Sequence, residues 1–157
     1  MMIKAVLAAL SLVGSPQDAT IASAIAEFAR TPTEAAFLVA WGRSESEFND
    51  DVIAGRCRRY QCDARKRADG TIVHLARGAW QQHRNGRTQE EWDALIGPDA
   101  IREQAKAASK MTRWSLAHCK GDARCAFRLL GGLRPDRKLK GEDDRVRRFV
   151  AALGAVK

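Results

Sequence analysis

Two carboxylates, Glu45 and Glu47, stand where an apolar helical run, Thr33 to Trp41, gives way to the polar stretch Gly42-Arg43-Ser44-Glu45-Ser46-Glu47-Phe48-Asn49. Residues three and four apart share a helix face. Ala35, Leu38, Trp41, Gly42 and Glu45 therefore lie along one stripe, which the pattern turns towards a core. Glu45 occupies the polar end of that stripe. A carboxyl group partly withdrawn from water there is in the setting that favours the protonated form, as a general acid requires. Glu47 falls in line with Ala36, Ala40 and Arg43, and pairs with Arg43 in a solvated ion pair worth roughly a few tenths of a kcal/mol.

The elements that must position these groups can be traced along the chain. Thr31-Pro32-Thr33-Glu34 combines a capping Thr, Pro in the first turn and Glu at the third helical position, a capping box that starts the Glu45 helix. Upstream, residues 1–14 carry one Lys and an apolar run. They read either as a short signal peptide or as a first helix stopped by Gly14 in the left-handed conformation, and the helix is favoured because the cleavage end is poor. A second helix is expected from Pro16 to Arg30, burying Ile21, Ile25 and Phe28. Beyond Asn49 the pattern is irregular to about Arg77, with the positive charges of Arg56 to Cys62 and Arg65 to Arg67. Asp69-Gly70 followed by Thr71 to Leu75 predicts a small β-hairpin. Thr88 and Glu91 form a second capping box. A long helix follows from Pro98 to His118, with Ile101, Ala105, Ala108, Met111 and Trp114 or Ser115 on its buried side. Asp122 caps a helix ended by Gly131-Gly132. Leu133 to Gly141 is a basic loop, and Glu142 to Leu153 closes the chain as a helix burying Val146, Phe149, Val150 and Leu153.

The 157 residues suit a single domain, predominantly helical α+β, with no stretch long enough to span a membrane. Lys and Arg number 27 against 19 Asp and Glu, a net charge of +8, which favours a polyanionic partner: nucleic acid, an anionic membrane or an acidic cell wall. The cysteines form two close pairs, Cys57 with Cys62 and Cys119 with Cys125. In an oxidising compartment these are disulfides paired locally, although four cysteines allow three connectivities. The spacings and the lack of an adjacent His do not suit zinc. His74, His83 and His118 are isolated, and no metal or cofactor is expected.

Glu45-Ser46-Glu47-Phe48-Asn49 resembles the E-S-x-F-N signature of the soluble lytic transglycosylase and goose-type lysozyme superfamily. Gly78-Ala79-Trp80-Gln81 resembles the G-L-M-Q stretch that follows it in that family. The likeness covers roughly Ala19 to Gly132. It implies a lysozyme-like fold with the hairpin beside a cleft, and cleavage of the β-1,4 bond between N-acetylmuramic acid and N-acetylglucosamine of peptidoglycan. Glu45 would be the catalytic acid/base, with Gly78, Trp80, Gln81 and Ser46 binding substrate. The family's Tyr-Asn-x-Gly motif is not matched: Phe127 and Gly131-Gly132 stand in that neighbourhood, and the only Tyr is Tyr60. Asp50, Asp51 and Asp63 are candidates for a water-activating base in an inverting hydrolase; without one, the sugar's own 6-hydroxyl attacks, as in a transglycosylase. Peptidoglycan glycan strands are the implied partner of a monomer that works in the periplasm, outside the cell or with a phage particle. Two other readings remain: a basic nucleic-acid-binding protein, although no zinc finger, RRM or KH signature is present, and an inactive lysozyme-like protein of the wall or virion.

Overall fold

The computed structural model describes residues 1–15, 18–56, 62–97 and 99–157. Along the chain come α1 (Met2–Leu12), α2 (Ala19–Phe28), α3 (Pro32–Ser46), α4 (Asp50–Ile53), β1 (Ala64–Lys66), β2 (Ile72–His74), β3 (Ala76–Arg77), β4 (Gln82–His83), α5 (Gln89–Ala94), α6 (Ala100–His118), α7 (Ala123–Leu130) and α8 (Glu142–Val156). The architecture is α+β and predominantly helical. None of the described helices is long and apolar enough to cross a membrane.

The core is built around α3. Every residue from Ala35 to Gly42 is buried, so the helix is enclosed on all sides and not merely along the stripe that ends at Glu45. An unbroken apolar run of that length is what such enclosure requires. Around it, one hydrophobic cluster gathers Val6 and Leu10 of α1, Ile21 and Ile25 of α2, Ala105 and Ala108 of α6, Phe127 of α7 and Phe149 of α8. Phe37 stacks on Phe127 with ring centroids 4.2 Å apart and meets the edge of Phe149 at 5.9 Å, joining α3, α7 and α8 at one point.

Helix ends follow the local chemistry. The N–H of Glu34 donates to Thr31 Oγ1 at 3.1 Å, half of the expected capping box. The Glu34 carboxylate closes instead on the Arg30 N–H, at 2.8 Å, and reaches Arg113 of α6 at 3.3 Å. Both halves of the Thr88–Glu91 box are present. Gly14 is left-handed after α1, with φ of 70°. The cap of α2 is Asp18, whose Oδ1 accepts from the Thr20 N–H; the expected start at Pro16 and the Pro98 start of α6 lie outside the described residues.

The burial expected of Ile101, Met111 and Val150 is corrected, and of the alternatives Trp114 or Ser115 it is Ser115 that is buried. On α6, Ser115 is fully buried whereas Trp114 is 59% exposed, and the inner face consists of Gln104, Ala105, Ala108, Ser109, Thr112 and Ser115. Small residues there let α6 approach α2 and α3 closely, which leaves no room for an indole. Ile101 and Met111 are only half-buried. On α8, Val150 is 61% exposed and Ala152 takes the inner position.

The hairpin forms as β1 and β2, antiparallel, with Ala64 opposite His74 and Lys66 opposite Ile72. A second antiparallel ladder, β3 with β4, pairs Ala76 with His83 and Arg77 with Gln82. It was not expected from the sequence. Its turn is Gly78-Ala79-Trp80-Gln81, closed by the Gln81 N–H on the Gly78 carbonyl at 3.0 Å.

The disulfide Cys119–Cys125 ties the end of α6 to the start of α7, with Cα atoms 5.7 Å apart. The pairing expected for Cys57 with Cys62 lies outside the described residues, as do Tyr60 and most of the first basic stretch.

Candidate active site

At its C-terminal end α3 breaks into an abrupt turn, and nearly every residue of Glu45-Ser46-Glu47-Phe48-Asn49 contributes to it. Glu47 and Phe48 both have positive φ, 58° and 55°, a conformation that costs a non-glycine residue of order 1–3 kcal/mol and needs support from its surroundings. Ser46 supplies part of that support. Its hydroxyl donates to the Gly42 carbonyl and accepts from the Phe48 N–H, both at 3.1 Å. Phe48 is driven into the core, edge-on to Trp80 at 5.7 Å. Gly42 makes the space: a Cβ there would lie 2.3 Å from the Phe48 ring. Asn49 caps α4, its Oδ1 accepting from the N–H groups of Asp51 and Val52. Glu47 pairs with Arg43 at 2.9 Å as expected, but only Glu47 is exposed and the Arg43 side chain is largely buried. Arg43 also donates through Nε to the Val13 carbonyl at 3.0 Å, tying α1 to α3.

Glu45 alone has no part in building the turn. Its side chain, 27% exposed, faces a cleft of about 1200 Å³ between the helical body and the β3–β4 ladder. Arg145 of α8 donates to Glu45 Oε1 through Nη1 at 2.6 Å. This guanidinium is a surrounding the sequence reading missed, because it lies a hundred positions away and nothing local announces it.

The opposite wall comes from the β3–β4 turn and the residues beside it. Gln81, with φ of 43°, lines the cleft; its Oε1 accepts from the Asp63 N–H at 3.1 Å and its Nε2 donates to the Gly78 carbonyl at 3.0 Å. Trp80 is fully buried and its indole N–H donates to the Leu38 carbonyl of α3 at 2.8 Å, so the ring packs in the core instead of presenting a face to a sugar. Gly78 has a positive φ of 77°, and a Cβ there would stand 2.3 Å from the Gln104 side chain. Gly78 and Ser46 are thus structural: one admits Gln104, the other holds the turn.

Gln104 of α6, fully buried, is the fastening of this wall. Its Oε1 accepts from the Ala79 N–H at 2.8 Å, and its Nε2 donates to the carbonyls of Ile53 and Leu95 at 2.8 and 2.6 Å. Its backbone carbonyl accepts from Gln82 Nε2 at 2.7 Å. One side chain thereby satisfies groups from the β3–β4 turn and the ends of α4 and α5. A Gln in a helix carries no signal of such a role in sequence.

No family model, curated protein or solved structure matches the chain.

Of the three Asp residues considered as a base, only Asp63 lines the cleft, 3.9 Å from His83 Nε2. Asp50 and Asp51 sit on the first turn of α4, where Asp51 pairs with Arg56 at 3.1 Å. Glu91 and Glu103 also reach the cleft, but Glu91 closes its capping box and Glu103 pairs with Lys106 at 3.1 Å. The third side of the cleft includes Leu130, Gly131, Gly132 and Leu139. Phe127 is buried against Phe37 and does not reach it. Below this loop, Glu142 is buried and accepts from Arg124 at 2.7 Å, Arg128 at 2.5 Å and the Leu139 N–H at 3.1 Å. Hydrogen bonds from Arg128 are the main cause holding the Glu142 carboxyl down at about 2.

Proposed function

We propose that the chain is a peptidoglycan-cleaving glycosidase with a lysozyme-like fold, in which Glu45 is the general acid/base for the β-1,4 bond between N-acetylmuramic acid and N-acetylglucosamine. The observation that carries this reading is the division of labour within the motif. Ser46, Phe48 and Asn49 are committed to the turn by hydrogen bonds and packing, while Glu45 is left facing a cleft. A turn that holds two non-glycine residues at positive φ is a costly way to end a helix. Glu45 itself is carried by the enclosed helix α3 and held by Arg145 at the edge of the cleft, and general acid catalysis needs a carboxyl at such a defined point.

In this reading Glu45 protonates the glycosidic oxygen as the bond to C1 breaks, and Gln81 contributes amide hydrogen bonds to the sugar from the facing wall. Arg145 holds the Glu45 carboxylate in position, and the glycosidic oxygen competes with it for that group. Asp63, on the Gln81 side, is the candidate to activate water in a hydrolase; if it does not, the 6-hydroxyl of the muramic residue attacks and an anhydro product forms. The Cys119–Cys125 disulfide fits work outside the cytoplasm, in the periplasm, the medium or a phage particle.

The test is Glu45→Gln, compared with wild type and Glu47→Gln on purified peptidoglycan, with circular dichroism showing that all three are folded. The amide keeps the shape but cannot donate the proton, so cleavage should fall by about 10²–10⁴. Glu47→Gln should retain activity, because its carboxylate points to solvent. Undiminished cleavage by Glu45→Gln would sink the assignment. Mass analysis of the muropeptides separates a reducing-end product from an anhydro one. Tight, selective nucleic-acid binding with no cleavage by wild type would replace this reading altogether.

A further inference from the structure

We infer that Trp114 is a sugar-stacking platform just beyond the cleft, an outer subsite for an extended β-1,4-linked amino-sugar glycan. The inference rests on the glycan-cleaving reading for its choice of ligand. The position itself comes from α6. Glu103, Lys106, Ala107, Lys110 and Met111 are the residues of this helix that line the cleft. At 100° per residue they share one face, and Trp114 falls in the middle of it, one turn past Met111 or roughly 4.5 Å further along the axis. The face that forms one wall of the cleft therefore continues through an exposed indole.

Trp114 differs from the other tryptophans. Trp41, Trp80 and Trp92 are at most 5% exposed, whereas Trp114 is 59% exposed. Its exposure coincides with the end of a helix face that otherwise lines the cleft. Its ring is braced: the His118 imidazole, one further turn along, stacks on it with centroids 5.5 Å apart and planes 26° apart. The imidazole leans on one face of the indole and leaves the opposite face to solvent, and a ring steadied in this way lowers the ordering cost of binding a flat partner. The apolar face of a pyranose ring in a strand leaving the cleft along α6 is such a partner.

The experiment uses Glu45→Gln, to bind without turnover, and Glu45→Gln/Trp114→Ala. Each is titrated calorimetrically with the β-1,4-linked trisaccharide and hexasaccharide of N-acetylglucosamine. Because Trp114 is on the surface, its removal should leave the fold intact, which circular dichroism checks, and Trp114→Phe provides a variant that keeps a smaller platform. The hexasaccharide should bind about tenfold more weakly without the indole, the usual scale for truncating an interfacial Trp. Phe should recover part of that loss, and the trisaccharide should lose less than the hexasaccharide. Equal hexasaccharide affinity with and without Trp114, or no hexasaccharide binding at all, overturns the platform. Wild type that fails to cleave peptidoglycan, alongside Trp114-dependent hexasaccharide binding, overturns the catalytic reading and supports the platform. Cleavage together with Trp114-independent binding does the reverse.

Discussion

Gly42 shows how closely the motif turn is fitted. Alanine usually gains about 1 kcal/mol over glycine inside a helix. Here its methyl group would overlap the Phe48 ring at 2.3 Å and crowd Trp80 Nε1 at 3.1 Å. Overpacking a filled core costs about 1–3 kcal/mol, and Phe48 has no room to retreat. Gly42→Ala is predicted to lose stability, by up to about 2 kcal/mol net, read from urea unfolding against a neutral Glu47→Gln control. A Gly42→Ala protein more stable than wild type would mean that the Phe48 ring gives way to the methyl group without cost. At this scale the sequence was partly legible. Glu45 faces the cleft from the polar end of the stripe on which periodicity set it, whereas Glu47 lies past the end of α3 at positive φ and takes its direction from the turn. The duties of Ser46, Gly78 and Trp80 were not legible. Whether a Trp faces sugar or core depends on what lies across from it, and the Leu38 carbonyl that accepts its N–H belongs to a distant turn of chain.

Among the elements, α7, the loop to Leu139 and α8 are held together by Glu142. Its carboxyl sits at about 2 in the folded protein against an ordinary 4.5. A depressed value means that the folded state favours the charged form. The stabilisation is therefore complete above about pH 4.5 and drains away as pH falls towards 2. Removing hydrogen bonds to a charged group costs about 1.5–3 kcal/mol, so Glu142→Gln should be less stable than wild type by about that amount at pH 7. The gap should close on acidification, in unfolding curves recorded from pH 7 to pH 2. A gap that is constant with pH would refute the ionic clamp. The Cys119–Cys125 bond fastens the other end of α7. Replacing both cysteines by Ser should cost about 2–3 kcal/mol, the range for a short closed loop, measurable as a lower midpoint in denaturant. Helix boundaries were largely readable from caps such as Thr31, Thr88 and Asp122. The β3–β4 ladder was not, because its strands have only two residues each and their register is fixed by Gln104 instead of by alternation.

For the whole molecule the net charge of +8 predicts an ionic-strength effect. Charges further apart than the Debye length, about 8–10 Å at ordinary salt, are screened. If the excess draws the protein to an anionic wall, cleavage of intact wall should fall as salt rises, while cleavage of a small neutral oligosaccharide should fall much less. Parallel decline on both substrates would place the salt effect in the cleft instead. The charge balance could be counted from the chain, but not which cations remain free to act at a distance. Arg113, Arg124, Arg128 and Arg145 are all engaged by carboxylates of the same molecule, whereas Arg134 and Arg137 lie exposed on the loop before α8.

Gln104 gathers several ties of the β side of the cleft at one residue, beside the Trp80 indole that is bonded to Leu38. The amide proton of Ala79, the carbonyls of Ile53 and Leu95 and the side chain of Gln82 all end on one residue, so none can be released without disturbing the others. Protein regions linked in this way open as cooperative units below the free energy of global unfolding. Followed by amide hydrogen exchange, the turn at residues 78–82 and the ends of α4 and α5 should lose protection together and at one common rate. Gln104→Ala should raise that rate for all three segments at once and leave α3 protected. One buried amide thus helps decide how stiffly the wall carrying Gln81 stands across the cleft from Glu45.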